Sequence, residues 1–397
     1  MDSSPACHVC DTSPLARVTA IEAFRPVSSD IRAVPGRLSL ARCPRCGVLQ
    51  KVLDARWRGE VQALYSDYAI NHQSEGADPY IFKSIHGPGP RASILARHLG
   101  QALGLRARGR LLDIGCGNGN FLARFGEAFP EWSLSGLETS SRWRDTVLAL
   151  PGVEGFHQDL DTLAGHRFDL IVMSHVLEHI PDPAHYLAGL RGLLADEGAL
   201  FVAAPDIRQN PIDLVVLDHC SHFDEPTLAR VLRLGGFRPE SLRSDVLGKE
   251  LVAVARALPS ACAEPAPSLA GPGPFAMPLE RVADLYLSLC ADLVTRAREL
   301  RAHPGRFGLF GTSTAACWLT GELDTPPDFY VEEDPQRVGR SAFGRPILAP
   351  GQVPSGACVF IPMSCETARA IIVRAGRTDY TLDYLPWNQI DEAGARL

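Results

Sequence analysis

Residues Arg110 to Asn120 read RLLDIGCGNGN, and this stretch decides the fold. Leu111, Leu112 and Ile114 form a short apolar strand, and glycines follow at 115, 117 and 119. Residues 121–129 (FLARFGEAF) are helix-compatible, so the glycines fill a strand-to-helix turn in which a ligand can approach bare backbone. A dinucleotide fingerprint requires G-x-G-x-x-G. Here the third glycine is Gly119 and Asn120 takes the last position, so the spacing is wrong for NAD.

Working outward, strands and helices alternate. Residues 134–137 (LSGL) form a second strand ending at Glu138, about twenty residues past the glycines, where a carboxylate accepts hydrogen bonds from a ribose diol. A third strand near 153–156 leads to Asp159, which in isolation is also a turn-capping residue. Residues 168–174 (FDLIVMS) have the unbroken apolar character of a buried strand and run into HVLEHIPDP. His175, Glu178 and His179 match the H-x-x-E-H of some zinc peptidases, but Pro181 and Pro183 leave little room for the long helix that site needs. They stand instead at the carboxyl end of a strand in an open α/β sheet, where ligands bind. A helix over 183–194, a strand over 199–204, and a hairpin of strands at 240–246 and 251–255 complete this unit. Asp224 is an N-cap with Pro226 in the first turn, and Gly235-Gly236 closes that helix. The loop before it reads Asp218-His219-Cys220-Ser221-His222. A carboxylate beside an imidazole there suits acid/base work, the alternative being a histidine that only caps or packs.

The 397-residue chain suits two or three domains, and its formal charge of -7 argues against a nucleic-acid partner that relies on a basic footprint. MDSSPACHVC has no signal-peptide pattern and no apolar run is long enough to cross a bilayer, so a cytoplasmic protein without a membrane partner is expected. With eleven cysteines and no secretion signal, paired cysteines are tested first as metal ligands. Cys7 and Cys10 form one C-x-x-C, Cys43 and Cys46 another, and together they suit a closed tetrahedral structural zinc site. The 32 residues between the two knuckles exceed the commoner ribbon spacing, which leaves four unrelated thiols as the alternative.

Boundaries follow from composition. Residues 1–52 form the zinc-binding module and 53–106 a lid or linker with helix 91–103, in which Tyr65, Tyr68, His72 and Tyr80 crowd together either as junction packing or as an active-site cover. Residues 107–256 form the glycine-turn core and 257–278 a Pro/Ala-rich linker. Residues 279–397 contain a long helix, strands at 307–310, 329–331 and 359–361 and a helix near 366–374, a small βαβαβ Rossmann-like half. Its turn holds only Gly311 where a fingerprint wants three glycines.

Asp113 followed by G-x-G-x-G resembles motif I of the class I S-adenosylmethionine (SAM) methyltransferases, and the downstream order of elements follows the same family. Over nearly its full length the chain resembles the three-domain sugar C-methyltransferases, which act on nucleotide-linked keto-deoxysugars. The resemblance implies an α/β Rossmann-like core with a zinc-binding module before it and a smaller α/β domain after it. It also implies SAM held by Asp113, Gly115, Gly117, Gly119, Glu138 and His175, with Asp159 aimed at the adenine amino group. In that family a Tyr-x-Glu-His element supplies the base; here the matching positions are Val216, Asp218 and His219. The histidine is kept, the glutamate shortened and the tyrosine missing. His219 is thus the expected base with Asp218 its partner, His179 donates to an enolate or places the sugar, and Tyr68 or Tyr65 closes the pocket. A monomer acting on a small acceptor is expected. The runners-up are an O- or N-methyltransferase, a zinc-knuckle nucleic-acid binder and a non-catalytic scaffold, the last opposed by intact Asp113, Gly115, Gly117 and Glu138.

Overall fold

The computed structural model describes residues 6–68, 76–259, 277–376 and 379–387. His72 and most of the 257–278 linker lie outside the described residues. The central sheet has seven strands: β1 (Arg110–Ile114), β2 (Ser133–Leu137), β3 (Val153–His157), β4 (Phe168–Ser174), β5 (Leu194–Pro205), β6 (Phe237–Arg243) and β7 (Glu250–Ala257). Their order is β6-β7-β5-β4-β1-β2-β3, and only β7 runs against its neighbours. This is the Rossmann-like α/β core expected from the glycine turn. The chain builds outward from β1 to β3 and then crosses to β4, so the carboxyl ends of β1 and β4 flank a crevice at the topological switch point.

Alternation along β4 shows why the sheet is covered on both faces. Leu170 and Val172 point into the core beneath α2 (Arg91–Leu103) and α3 (Asn120–Ala128), whereas Ile171 and Met173 join Leu187 of α5 (Pro183–Leu190) and Leu228 of α6 (Glu225–Leu234). Asp224 caps α6 as the sequence predicts, accepting from Thr227 N at 3.1 Å. The lid or linker region contains, besides the helix over 91–103, a helix α1 (Ala55–Tyr65), started by the Asp54 carboxylate accepting from Trp57 N. Its hydrophobic period is weak because only Trp57, Val61 and Leu64 are buried.

A long helix, α7 (Leu279–Ala302), leads to a second parallel sheet of β8 (Phe307–Phe310), β9 (Phe329–Val331), β10 (Arg345–Leu348), β11 (Cys358–Ile361) and β12 (Thr381–Tyr384), with α8 (Thr314–Glu322) and α9 (Cys365–Ala375). The parallel order β10-β9-β8-β11-β12, with the two-residue strand Ser341–Ala342 antiparallel at the β10 edge, makes a six-stranded Rossmann-like half, larger than the three strands read from sequence. Pro346 inside β10 and the polar TLDY of β12 hid two of the others. Val282 and Tyr286 of α7 and Trp318 of α8 share one apolar core with Ile21, Val27, Ile212 and Val215. The first fifty residues contribute three two-residue strands, and the small sheet takes its fourth from Ser221–His222, beyond β5. Among the described residues no helix is long and apolar enough to cross a membrane.

Candidate active site

The crevice begins where β1 ends. Gly115, Gly117 and Gly119 all have positive φ, the left-handed backbone that glycine adopts without a Cβ penalty. At Gly115 an added Cβ would lie 2.4 Å from Val176 Cγ2, so the turn and the HVLEH segment are packed as one surface. Gly115→Ala is expected to destabilise the fold by about 2–3 kcal/mol, combining overpacking with left-handed strain, measurable by denaturant unfolding. Glu138, at the tip of β2, accepts from Gly117 N at 3.1 Å and from Ser140 N, which holds its carboxylate over the turn. Asp113 is fully buried; burial first, and the Glu138 charge second, push its carboxyl well above the usual range. Asn118 and Asn120 both donate to Gly76 O, tying the chain just before α2 to the mouth of the crevice. Asp159 is exposed and accepts from Thr162 N at 3.0 Å, the turn-capping alternative.

His175, directly after β4, has a positive φ of 56°, the left-handed region that a residue with a side chain rarely adopts. Its Nδ1 lies 3.0 Å from Glu178 Oε1 and its Nε2 3.2 Å from Glu250 Oε1, while Arg91 clamps Glu250 from the other side. Against burial, which depresses an imidazole, Glu250 and then Glu178 hold His175 up to about 9.

A second cluster begins at His179, four residues further along. His179 Nδ1 is 3.0 Å from both Asp218 O and the Tyr65 hydroxyl. A backbone carbonyl only accepts, so that nitrogen carries the proton. The His179 and His219 rings meet edge to face at 4.7 Å. The partner of His219 differs from the one read from sequence. Asp213, not Asp218, accepts from His219 Nδ1 at 2.6 Å, and its other oxygen accepts from His222 Nδ1 at 2.5 Å. The Asp218 carboxylate accepts from Ser29 N at 2.9 Å and Ser29 Oγ at 2.5 Å and lies 3.4 Å from His179 Nδ1, so it faces His179 and Ser29. Tyr68 joins through its hydroxyl, 3.1 Å from Ser29 Oγ, and its ring packs edge to face on Tyr65. Burial would lower the His219 pKa, but the Asp213 carboxylate overrides it and holds the imidazole above its ordinary value. His222 behaves oppositely: burial takes it down to about 4. Lys51, wholly buried behind this cluster, donates to Leu214 O, and burial brings its ammonium to about 8 despite the pull of Asp213 and Asp218.

Asp213, Ser29 and Lys51 were not singled out as members of the site from sequence. Asp213 had a signal: a lone carboxylate inside the apolar run PIDLVVL has to find a buried partner. Ser29 had none, being 189 residues from Asp218.

The four knuckle cysteines do converge. Cys7 and Cys46 sulfurs lie 3.5 Å apart, as do those of Cys10 and Cys43, and all four fall within 4.8 Å of one another. Tetrahedral thiolate coordination with bonds of about 2.3 Å requires sulfur separations of about 3.8 Å. Val9 N points at Cys7 Sγ and Cys46 N at Cys43 Sγ, backbone donors that suit thiolate ligands. The cluster therefore fits a metal ion. In the second sheet, the turn after β8 has Glu332 accepting from Thr312 N and Oγ1 at 2.8 Å, with Arg337 Nη1 donating to Thr312 Oγ1.

Residues 91–242 match the family described as a methyltransferase domain. The chain is 37% identical over 124 residues to trans-aconitate 2-methyltransferase of Methylobacterium radiotolerans, covering 31% of this chain and 46% of the relative. It is 29% identical over 143 residues to ubiquinone biosynthesis O-methyltransferase of Neisseria meningitidis serogroup C, covering 33% and 56%. The chain thus spans about half the length of the curated relatives it matches. A solved 1,6-didemethyltoxoflavin-N1-methyltransferase of Burkholderia thailandensis shares 23% identity at a TM-score of 0.35, covering 43% of this chain and 79% of that one. The glycine turn, the second acid and the HVLEH segment all fall within a methyltransferase domain.

Proposed function

We propose that this chain is a SAM-dependent methyltransferase that methylates carbon next to a ketone in a nucleotide-linked keto-deoxysugar, with His219 as base. The observation that carries this reading is the Asp213–His219 pair, 2.6 Å apart, in the loop after β5 and joined to the cofactor crevice through HVLEH. SAM would be held by Gly115, Gly117 and Gly119, with Glu138 on the ribose, Asp159 toward the adenine and Asp113 and His175 lining the amino-acid end. When bound, it supplies a methyl carbon activated by its sulfonium.

A carbon beside a ketone becomes nucleophilic only after losing a proton. His219 Nε2 takes that proton, since Nδ1 is already committed to Asp213. Asp213 stabilises the imidazolium so formed and fixes the ring, as an orienting carboxylate does for a catalytic histidine. Tyr65, whose hydroxyl accepts from His179 Nδ1 and keeps its own hydrogen, is the donor assigned to a developing enolate oxygen; His179 positions it and Tyr68 braces it. Cys7, Cys10, Cys43 and Cys46 would hold a zinc ion with no open position, so its part is structural.

The second sheet is assigned to the nucleotide portion of the acceptor, on the strength of the Gly311 turn and of Glu332 and Arg337 beside it. Arg337→Ala is expected to raise the acceptor KM about tenfold, roughly 1.4 kcal/mol, with SAM affinity unchanged; equal KM values would remove that assignment. O-methylation is the second reading, favoured by the ubiquinone biosynthesis O-methyltransferase relative and by Val216 at the tyrosine position. Incubation with carbon-13 methyl-labelled SAM and a panel of nucleotide-linked keto-deoxysugars and their alcohols decides between them. A methyl signal coupled to carbon supports the first reading, one on oxygen the second, and failure to bind SAM by calorimetry would sink both.

A further inference from the structure

We propose that Glu178, His179 and His219 form a site for one divalent first-row transition ion on the acceptor side of the crevice, and that its occupancy silences the base. The inference rests on the reading of His219 as base. One ligand atom from each of the three side chains lies within 4.8 Å of the others. Each also has its opposite atom committed to a partner behind it. His219 Nδ1 donates to Asp213, His179 Nδ1 to the Asp218 carbonyl, and Glu178 Oε1 lies 3.0 Å from His175. Outer partners of this kind orient metal-binding imidazoles and carboxylates.

What remains are two imidazole Nε2 atoms and Glu178 Oε2. Oε2 is buried and has no hydrogen-bond partner among the described residues. With both Nδ1 atoms carrying the protons, the atoms these three clustered side chains have left to offer are lone-pair bearers with no proton among them, and the buried, unpartnered Glu178 oxygen is unfavourable until a cation joins it. Two nitrogens and one oxygen suit zinc, cobalt or nickel better than magnesium or calcium, and three protein ligands leave a fourth position open. The Cys7 cluster is a separate site of different chemistry, with sulfur ligands alone. Coordination through Nε2 uses the same lone pair that would accept the acceptor's proton, so metal binding and turnover exclude each other.

The test is a cobalt(II) titration of full-length protein whose cysteine site is already filled with zinc. A second equivalent is expected to bind with ligand-field bands but no thiolate-to-cobalt charge transfer, with turnover falling at the same midpoint and returning on addition of EDTA. Glu178→Gln and, separately, His179→Gln are expected to weaken that second equivalent about 10- to 100-fold while the zinc content of the cysteine site stays at one. Binding that stops at one equivalent, or a second equivalent untouched by both substitutions, overturns the site. A second equivalent that raises turnover upholds the site and overturns both the silencing and the role of His219 as base.

Discussion

His219→Asn is expected to lower turnover about 10²- to 10⁴-fold and to leave SAM affinity within about twofold, because general-base catalysis is worth that much and the imidazole takes no part in the glycine turn. The residues assigned to the cofactor gather at the tips of β1 and β2, where Glu138 accepts from Gly117 N, whereas His219 is held by Asp213 in the loop after β5. Asp213→Asn is the more diagnostic variant. The Asp213 carboxylate favours the charged imidazole and keeps its pKa above the ordinary value of about 6.5. Since the base acts only when neutral, kcat/KM in the native protein should rise with pH through a limb centred above that value. Replacing Asp213 removes the stabilisation of the imidazolium, so the limb should move to lower pH while the plateau falls. A merely structural defect would lower the plateau without moving the limb, and a limb that stays in place would refute the pairing.

Much of the fold was legible because its signals are local. The strand, the three glycines and the apolar runs at 168–174 and 199–204 report their own environment, and the sheet order follows from the crossover between β3 and β4. The short strands were not legible: β10 carries a proline, and the strands pairing residues 41–42, 49–50 and 221–222 have two residues each. In the site, His179 and His219 were recognisable as chemistry-bearing residues at strand ends, yet the partner of His219 was not. Adjacency in sequence suggested Asp218, but the residue six positions back, in the short helical turn Pro211–Val215, is the one that meets the ring. Asp218 meets Ser29 instead, a contact with no local trace.

Removing the metal expected at the cysteine cluster, by a strong chelator or by Cys10→Ser, should abolish acceptor turnover, by more than about 100-fold, while SAM affinity changes little. The reason lies in how the first fifty residues reach the loop that carries His219. Gln50 accepts from His8 N at 3.1 Å and donates to Ala6 O, so its amide brackets Cys7. The same residue pairs with Ser221 across the small sheet, and Lys51 N donates to Cys220 O at 2.9 Å. Further along, Trp57 Nε1 donates to Leu217 O and Ser29 holds Asp218, so residues 217–222 are fastened to the cysteine module and to α1 just after it. A segment this short cannot bury enough apolar surface to hold that geometry without its ion, and structural zinc binding of about 10 kcal/mol or more is itself folding free energy. Amide exchange resolves the two halves of the molecule: protection at 217–222 should fall on metal removal, and protection at 110–122 should persist. Equal loss at both would mean that the metal supports the whole fold, and no loss at 217–222 would mean that the cysteine module and the base are mechanically independent.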